Sequence, residues 1–265
     1  MIVTYHHGKP IFRVRPGGGY MKRECLSYKP QEFNKTCQRA STPNRTMFYG
    51  TVVSDGECME NARITGVAEA CSLLRAGEES IGQQQITFSQ WVVSKDINLV
   101  AIVSNKDFVT KNTLLKELNC AYDNYLNEFP EKKDRLNKIS NFFAEEFSRK
   151  IIGPDYNYLL SAIFTEIVVE QGYDGVVYPS VQASGLALNV AIKPEAVDTS
   201  LRLEVVGEWR IYKNKKSTYI LSETSCKVEN ERADFVYETT KNEISMEECR
   251  RRMNVNSLND LPEVK

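Results

Sequence analysis

Three consecutive helical patterns in the middle of the chain constrain the fold more than any other feature of the sequence. Apolar residues recur at helical spacing over residues 114–129, 134–151 and 155–171. Gly172 follows the third pattern, where a helix C-cap is expected. Strand-like runs surround these patterns, at 11–14, 47–53, 86–93, 97–103, 174–180 and 187–193. Clustered helices between strands favour an α+β fold over a doubly wound sheet.

Two hairpins are predicted, so we expect a largely antiparallel sheet. The first joins residues 86–93 to 97–103 through a short polar turn, and the second joins 201–212 to 219–228. A further helix is predicted over residues 61–75, where apolar side chains again recur at helical spacing. The last 30 or so residues are charged and are expected to form a helix or a tail.

Charge and cysteine usage indicate the partners and the compartment. The 265 residues carry 34 Lys and Arg against 35 Asp and Glu, a formal net charge of −1. We therefore expect neither direct nucleic-acid binding nor attachment to a membrane. The first residues lack a charged segment followed by an apolar run, so they do not resemble a signal peptide. The seven cysteines are never spaced as CxxC, which is typical of reduced thiols and predicts a cytoplasmic protein.

The inventory of reactive side chains excludes several classes of enzyme. The only two histidines are the adjacent His6 and His7, so a His-driven hydrolase and a zinc site of the HExxH type both lack their residues. No phosphate-binding GxxxxGK[ST] loop is present. Carboxylate, arginine, tyrosine and serine remain. That set suits cleavage of a glycosidic bond with a good leaving group, which passes through an oxocarbenium-like transition state and needs no metal.

Several segments, in this order along the chain, resemble the RES-domain family, named for its Arg, Glu and Ser. The likeness extends over about residues 10–195, and the pair DGxxYPS and NxAxKP makes it specific. The segments are 12–15 (FRVR), 39–44 (RASTPN), 47–50 (MFYG), 67–69 (VAE), 173–180 (YDGVVYPS) and 189–194 (NVAIKP).

The resemblance implies an ADP-ribosyltransferase-like fold, with a split sheet and a helical cluster, and an activity that consumes NAD. NAD is then the substrate, broken at the nicotinamide–ribose bond by hydrolysis or phosphorolysis, and no further cofactor is expected. Two alternatives stay open: transfer of ADP-ribose to a protein, and an inactive relative that binds a nucleotide or a partner. Members of the family are often toxins paired with an Xre-type antitoxin protein, so such a partner is also implied.

The resemblance also divides the chain and assigns roles to its cationic and aromatic residues. Residues 1–195 would form the catalytic domain. Residues 196–265 would form a β-hairpin and a charged tail of unknown role. One option is that they carry a surface for a homo-oligomer, such as a dimer, or for an antitoxin. Arg39 would hold the phosphates, with Arg13 as a second cationic contact. Tyr49 would pack on nicotinamide or its ribose.

The remaining assignments concern a carboxylate, a hydroxyl and an amide. Glu69 would polarise the ribose hydroxyls or stabilise the oxocarbenium ion. Glu60 competes with it on spacing, because fewer residues separate Tyr49 from the carboxylate in short family members. Ser180 would hydrogen-bond the ligand. Asn189 is a further candidate for ligand contact, with an ordinary strand-edge hydrogen bond as the alternative.

Overall fold

The computed structural model describes residues 1–52, 58–103, 108, 112–150, 153–183, 185 and 187–264. The strands are β1 Ile2–Tyr5, β2 Pro10–Pro16, β3 Phe48–Val52, β4 Gly82–Val93, β5 Ile97–Ala101, β6 Gly175–Pro179, β7 Leu188–Ile192, β8 Leu201–Lys213, β9 Thr218–Lys227 and β10 Glu238–Thr239. The α-helices in this part of the chain are α1 Arg23–Leu26, α2 Met59–Ala70, α3 Ser72–Arg75, α4 Thr113–Glu128, α5 Lys133–Ser148, α6 Leu159–Glu170, α7 Pro194–Ser200 and α8 Met246–Met253. The predicted α+β class is confirmed.

The chain divides into two compact units. The first unit comprises Met1–Ile11, Ser27–Thr65 and Val93–Leu201. The second unit comprises Phe12–Leu26, Gly66–Val92 and Arg202–Lys265. The C-terminal segment thus belongs with two earlier segments, and the functional boundary predicted after residue 195 stays a prediction.

The first unit contains a sheet in the order β1-β5-β6-β7-β3. Adjacent strands in this sheet pair antiparallel, except for β5 and β6, which pair parallel. Helices α5 and α6 pack on this sheet through apolar side chains that are almost fully buried, among them Ala144, Phe147 and Val168. Gly172 has a φ of +94° just after α6, as expected for the residue that ends a helix in the left-handed region.

The second unit contains strands in the order β2-β4-β8-β9-β10. The predicted β8–β9 hairpin is confirmed, with a register shift between Glu208 and Trp209. The charged C-terminal segment contains α8, whose N-cap Ser245 accepts a hydrogen bond from the Glu248 N–H at 3.1 Å. Apolar side chains of α8 pack with Tyr212 of the hairpin.

The hairpin predicted from residues 86–93 and 97–103 is wrong. Both strands form, but β5 pairs with β1 and β6, while β4 lies between β2 and β8 in the strand order. Contacts of Asp96 with residues 6 and 7 fix the connection between β4 and β5. The Asp96 carboxylate binds His6 Nδ1 at 2.9 Å and accepts from the His7 N–H at 2.8 Å. Periodicity identifies a strand but not the strand with which it pairs.

Candidate functional site

Arg39 reaches the carboxyl end of α5. Its Nη1 donates to the carbonyl oxygens of Phe147 at 2.7 Å and Glu146 at 3.3 Å, and its Nη2 donates to that of Arg149 at 3.0 Å. The last carbonyls of a helix lack partners within the helix and carry partial negative charge, so a guanidinium satisfies them. The guanidinium carbon also lies 5.1 Å from the centre of the Tyr158 ring. The side chain predicted to bind phosphates therefore already binds a helix end.

Tyr49, on β3, holds the turn that carries Arg39. The Ala40 N–H donates to the tyrosine oxygen at 3.1 Å, and the Ser41 hydroxyl shares a hydrogen bond of 3.0 Å with it. Two backbone hydrogen bonds between Gln38 and Ser41, of 2.8 and 3.2 Å, close the turn. The tyrosine is partly buried. The fold thus brings two predicted site residues together through the 38–41 turn.

Tyr49 and Asn189 lie on one face of the sheet of the first unit, and Ser180 directly follows the neighbouring strand β6. Asn189 on β7 is opposite Thr51 on β3 and opposite Tyr178 on β6. Directly opposed residues of antiparallel strands share a face, and so do residues two apart along one strand. Tyr49 is two residues before Thr51, and Ser180 directly follows the last residue of β6. Two of the predicted residues, Tyr49 and Asn189, therefore share a face, and Ser180 lies at the end of the strand next to β7.

This face is the one covered by α5 and α6. Tyr178 and Ala191 belong to the same buried cluster as Phe147 of α5 and Val168 of α6, and Tyr49 packs against it. The ring centres of Phe147 and Tyr178 are 5.1 Å apart. Polar side chains here lie in a poorly solvated environment, where their hydrogen bonds matter more than at a free surface.

Ser180 organises the connection between β6 and β7. Its hydroxyl accepts from the Ala183 N–H at 3.1 Å, and its N–H donates to the Ala187 carbonyl at 3.0 Å. Its own carbonyl accepts from the Gly185 N–H at 2.8 Å. The residue is 0% exposed. Ser180 therefore has a structural role in this turn as well as the ligand role predicted for it.

Arg13 and Glu69 belong to the second unit. Val67 and Cys71 of the α2 region form a buried cluster against which Val14 of β2 packs. Arg13 is adjacent to Val14 on a strand, so its side chain points to the other face. Glu69 is two residues from both Val67 and Cys71, which turns it away from their helical face. The packing therefore leaves both predicted residues turned away from the cluster.

Glu60, the competing carboxylate, has a different environment. Its Oε1 lies 2.8 Å from Nη1 of Arg63, one turn along α2, and its side chain is 60% exposed. Glu69 is nine residues further on, which corresponds to the opposite side of the helix. The two carboxylates are thus alternatives and not a pair.

A pocket in the first unit was not predicted from the sequence. Its volume is about 210 Å³, and its wall includes Ser41, Arg45, Glu166 and Lys193. Arg45 pairs with Glu166 at 3.8 Å, and the Thr42 hydroxyl also donates to that carboxylate. Ser41 is the residue that shares a hydrogen bond with Tyr49, so the 38–41 turn separates this pocket from the tyrosine. Ion pairs between distant segments form this wall, and sequence periodicity gives no signal for them.

Cys37, which lies close to Glu166 of this pocket, is poorly suited to act as a nucleophile. Burial and the nearby carboxylates of Asp155 and Glu166 raise the pKa of the Cys37 thiol. A thiol with a raised pKa stays protonated at neutral pH and is a poor nucleophile. Asp155 also accepts a hydrogen bond from the Cys37 N–H at 2.8 Å, so this carboxylate is held in place.

Within the described ranges, no three or more His, Cys, Asp or Glu side chains lie close enough together to hold a metal ion. None of the helices described above is both long and apolar enough to cross a membrane. In comparisons with known proteins, no family model matches the sequence, and no curated protein matches it significantly.

Proposed function

We propose that this protein is an NAD-consuming enzyme of ADP-ribosyltransferase-like fold that breaks the nicotinamide–ribose bond. Support comes from the ordered segments that resemble the RES-domain family. The observation that carries the proposal is that Tyr49 on β3 and Asn189 on β7 share one face of the sheet, with Ser180 directly after the neighbouring strand β6. Tyr49 and Asn189 are 140 positions apart in the sequence and reach the same face.

The reaction follows from the chemistry of the substrate. The bond between ribose C1′ and the pyridinium nitrogen breaks, and its electron pair leaves with nicotinamide, which becomes neutral. Positive charge develops on C1′ and the ring oxygen. A carboxylate stabilises this charge, the role proposed for Glu69. Water or phosphate then bonds to C1′, and attacking water releases its proton to solvent.

Tyr49 and the arginines have supporting roles in this proposal. A tyrosine whose hydroxyl is fixed by Ala40 and Ser41 presents a rigid aromatic ring against which a planar nicotinamide can pack. Arginine binds diphosphate oxygens bidentately, the role proposed for Arg13 and Arg39. Phosphate binding by Arg39 competes with its three hydrogen bonds to the end of α5.

The carboxylate assignment is tested by a matched pair of substitutions on α2. Glu69→Gln keeps the size of the side chain but removes its charge, so we expect NAD loss to fall at least about 100-fold. Glu60→Gln makes the same substitution at an exposed, ion-paired position. This variant should consume NAD at a rate within about twofold of the native rate. Initial rates of nicotinamide release measure both. Full activity in Glu69→Gln, or loss confined to Glu60→Gln, would contradict the assignment.

Nucleotide or partner binding without catalysis is the second candidate function. Two observations favour partner binding, because they compete with the nucleotide contacts assigned to Arg39 and Ser180: the Arg39 guanidinium is engaged by carbonyl oxygens, and Ser180 is completely buried. Calorimetric titration with NAD separates the two candidates. Tight binding with no nicotinamide released after long incubation would favour the binding protein, whereas turnover favours the enzyme.

A further inference from the structure

Helices α5 and α6, together with the 3-10 turn Asp155–Tyr158 that leads into α6, present a large apolar surface to solvent, which we name the α5–α6 face. Each of its seven side chains is between 40% and 65% exposed. They are Ile139, Phe142, Tyr156, Leu159, Leu160, Ile163 and Ile167. Single exposed apolar residues are normal, but a contiguous group of this kind marks an interaction site.

The seven side chains are contiguous because the two helices lie side by side. The ring centres of Phe143 on α5 and Phe164 on α6 are 4.2 Å apart. Ile139 is one turn before Phe143, and Leu160 and Ile167 are one turn on either side of Phe164. Residues three or four apart are neighbours on a helix surface. The exposed side chains therefore flank this aromatic contact.

The size of the α5–α6 face matches one side of a stable protein–protein interface. From their exposed fractions, the seven residues leave on the order of 700 Å² open. The largest apolar patch on a typical monomer is about 300–600 Å². A standard interface buries about 800 Å² per partner. The face is therefore large for a monomer and large enough for a specific partner.

The charges along α5 indicate what that partner is. Its exposed side chains are mostly basic before Phe142 and acidic after it; they are Lys133, Asp134, Arg135, Lys138, Ile139, Phe142 and Glu145. Lys138 is one turn before Phe142 and Glu145 is one turn after it. Two such helices that cross antiparallel near Phe142 place Lys138 of each against Glu145 of the other. The pattern is self-complementary, as a two-fold interface requires.

We propose that the α5–α6 face is the interface between two copies of this chain, related by a two-fold axis close to Phe142. The apolar residues form its centre, and two Lys138–Glu145 pairs lie at its rim. This assignment uses residues of the first unit only and does not depend on the NAD chemistry.

The first experiment measures the molar mass of the full chain by sedimentation equilibrium between about 1 and 100 μM, a range that brackets micromolar association. We expect a dimer, and Phe142→Glu should convert it to a monomer with an unchanged circular dichroism spectrum. Phe33→Glu is the matched control, because Phe33 is a 61% exposed phenylalanine of the same unit that belongs to neither helix. A monomer throughout for the native chain would overturn the proposal, and so would equal effects of the two substitutions.

A charge exchange tests the two-fold geometry itself. Lys138→Glu sets like charges against Glu145 of the second copy, and Glu145→Lys does the same with Lys138. Each should weaken dimerisation by about 3- to 10-fold, because each dimer contains two rim pairs. The double variant restores opposite charges and should regain native affinity in low salt. Additive weakening in the double variant would overturn the antiparallel arrangement.

Discussion

At the scale of single residues, several predicted site residues also hold the backbone together. Arg39 satisfies the end of α5, Tyr49 fixes the 38–41 turn, and Ser180 orders the connection that follows β6. When a motif residue holds the backbone and also binds a ligand, the motif alone does not distinguish its structural role from its functional role. The sequence predicted these positions as important but not which backbone groups they contact. For Arg39 those groups lie more than 100 residues away along the chain, and for Tyr49 and Ser180 they lie in nearby turns whose geometry the motif does not specify.

The structural role of Arg39 predicts a loss of stability even for a conservative substitution. In Arg39→Lys the charge remains, but an ammonium cannot bridge three carbonyl oxygens in the way that a planar guanidinium does. We expect the free energy of unfolding to fall by about 2 kcal/mol. Urea denaturation followed by circular dichroism measures it.

Arg45→Lys is the control for that substitution. The Arg45 side chain is 56% exposed and forms ion pairs with Glu166 and Glu170. Exposed pairs contribute little, so we expect a change of less than about 0.5 kcal/mol. Equal changes in the two variants would mean that the contacts of Arg39 with α5 do not stabilise the protein.

At the scale of elements, local pattern predicted most strands and helices but not all their partners. The apolar periodicity over residues 114–129 and 134–151 corresponds to α4 and α5, and the predicted second hairpin is β8 and β9. The helix predicted over 61–75 is interrupted, because Cys71 has an extended backbone between α2 and α3. Helix α7 was not predicted. Strand pairing, such as that of β5 with β6, depends on contacts between segments about 75 residues apart, which a local pattern does not contain.

Gly175 at the start of β6 is required by a close approach between strands. Its φ is +150°, and a Cβ atom there would lie 1.9 Å from the carbonyl oxygen of Ala191 on β7. Gly175→Ala must separate the two strands, so we expect the free energy of unfolding to fall by more than about 3 kcal/mol. Gly172→Ala, at φ +94° with nothing within 4 Å, should cost only about 1–2 kcal/mol. Comparable melting temperatures for the two variants would contradict this account.

The hairpin of the second unit gives a prediction for alkaline pH. Burial raises the pKa of Tyr212 to about 12. The folded chain therefore holds this proton more tightly than the unfolded chain, and the associated stability, present below about pH 10, is lost as pH rises toward 12. Between pH 9 and 11 this group should account for about 1 kcal/mol of lost unfolding free energy.

Comparison of two tyrosine variants isolates that contribution. In Tyr212→Phe, the unfolding free energy should fall by about 1 kcal/mol less between pH 9 and 11 than in the native chain. Tyr125→Phe changes a tyrosine that is 49% exposed and should show the same fall as the native chain. Urea denaturation at the two pH values gives the difference. An identical alkaline loss in Tyr212→Phe and in the native chain would mean that Tyr212 is not the group responsible.

At the scale of the whole molecule, the resemblance to the RES-domain family indicates candidate site residues, and the fold shows where they lie. The order of the motifs predicted six site residues, and the structure locates four of them, Arg39, Tyr49, Ser180 and Asn189, in the first unit. The pocket beside Ser41 and the exposed α5–α6 face were not predicted. Both are built from side chains that only the folded chain brings together, so no short motif marks them.

The most direct test of the proposed function is to incubate the purified protein with NAD, with and without inorganic phosphate, and to resolve the products by chromatography and mass spectrometry. The account predicts release of nicotinamide together with ADP-ribose, or with a phosphorylated ADP-ribose that forms only when phosphate is present. NAD that remains intact at high protein concentration, in both conditions, would contradict it.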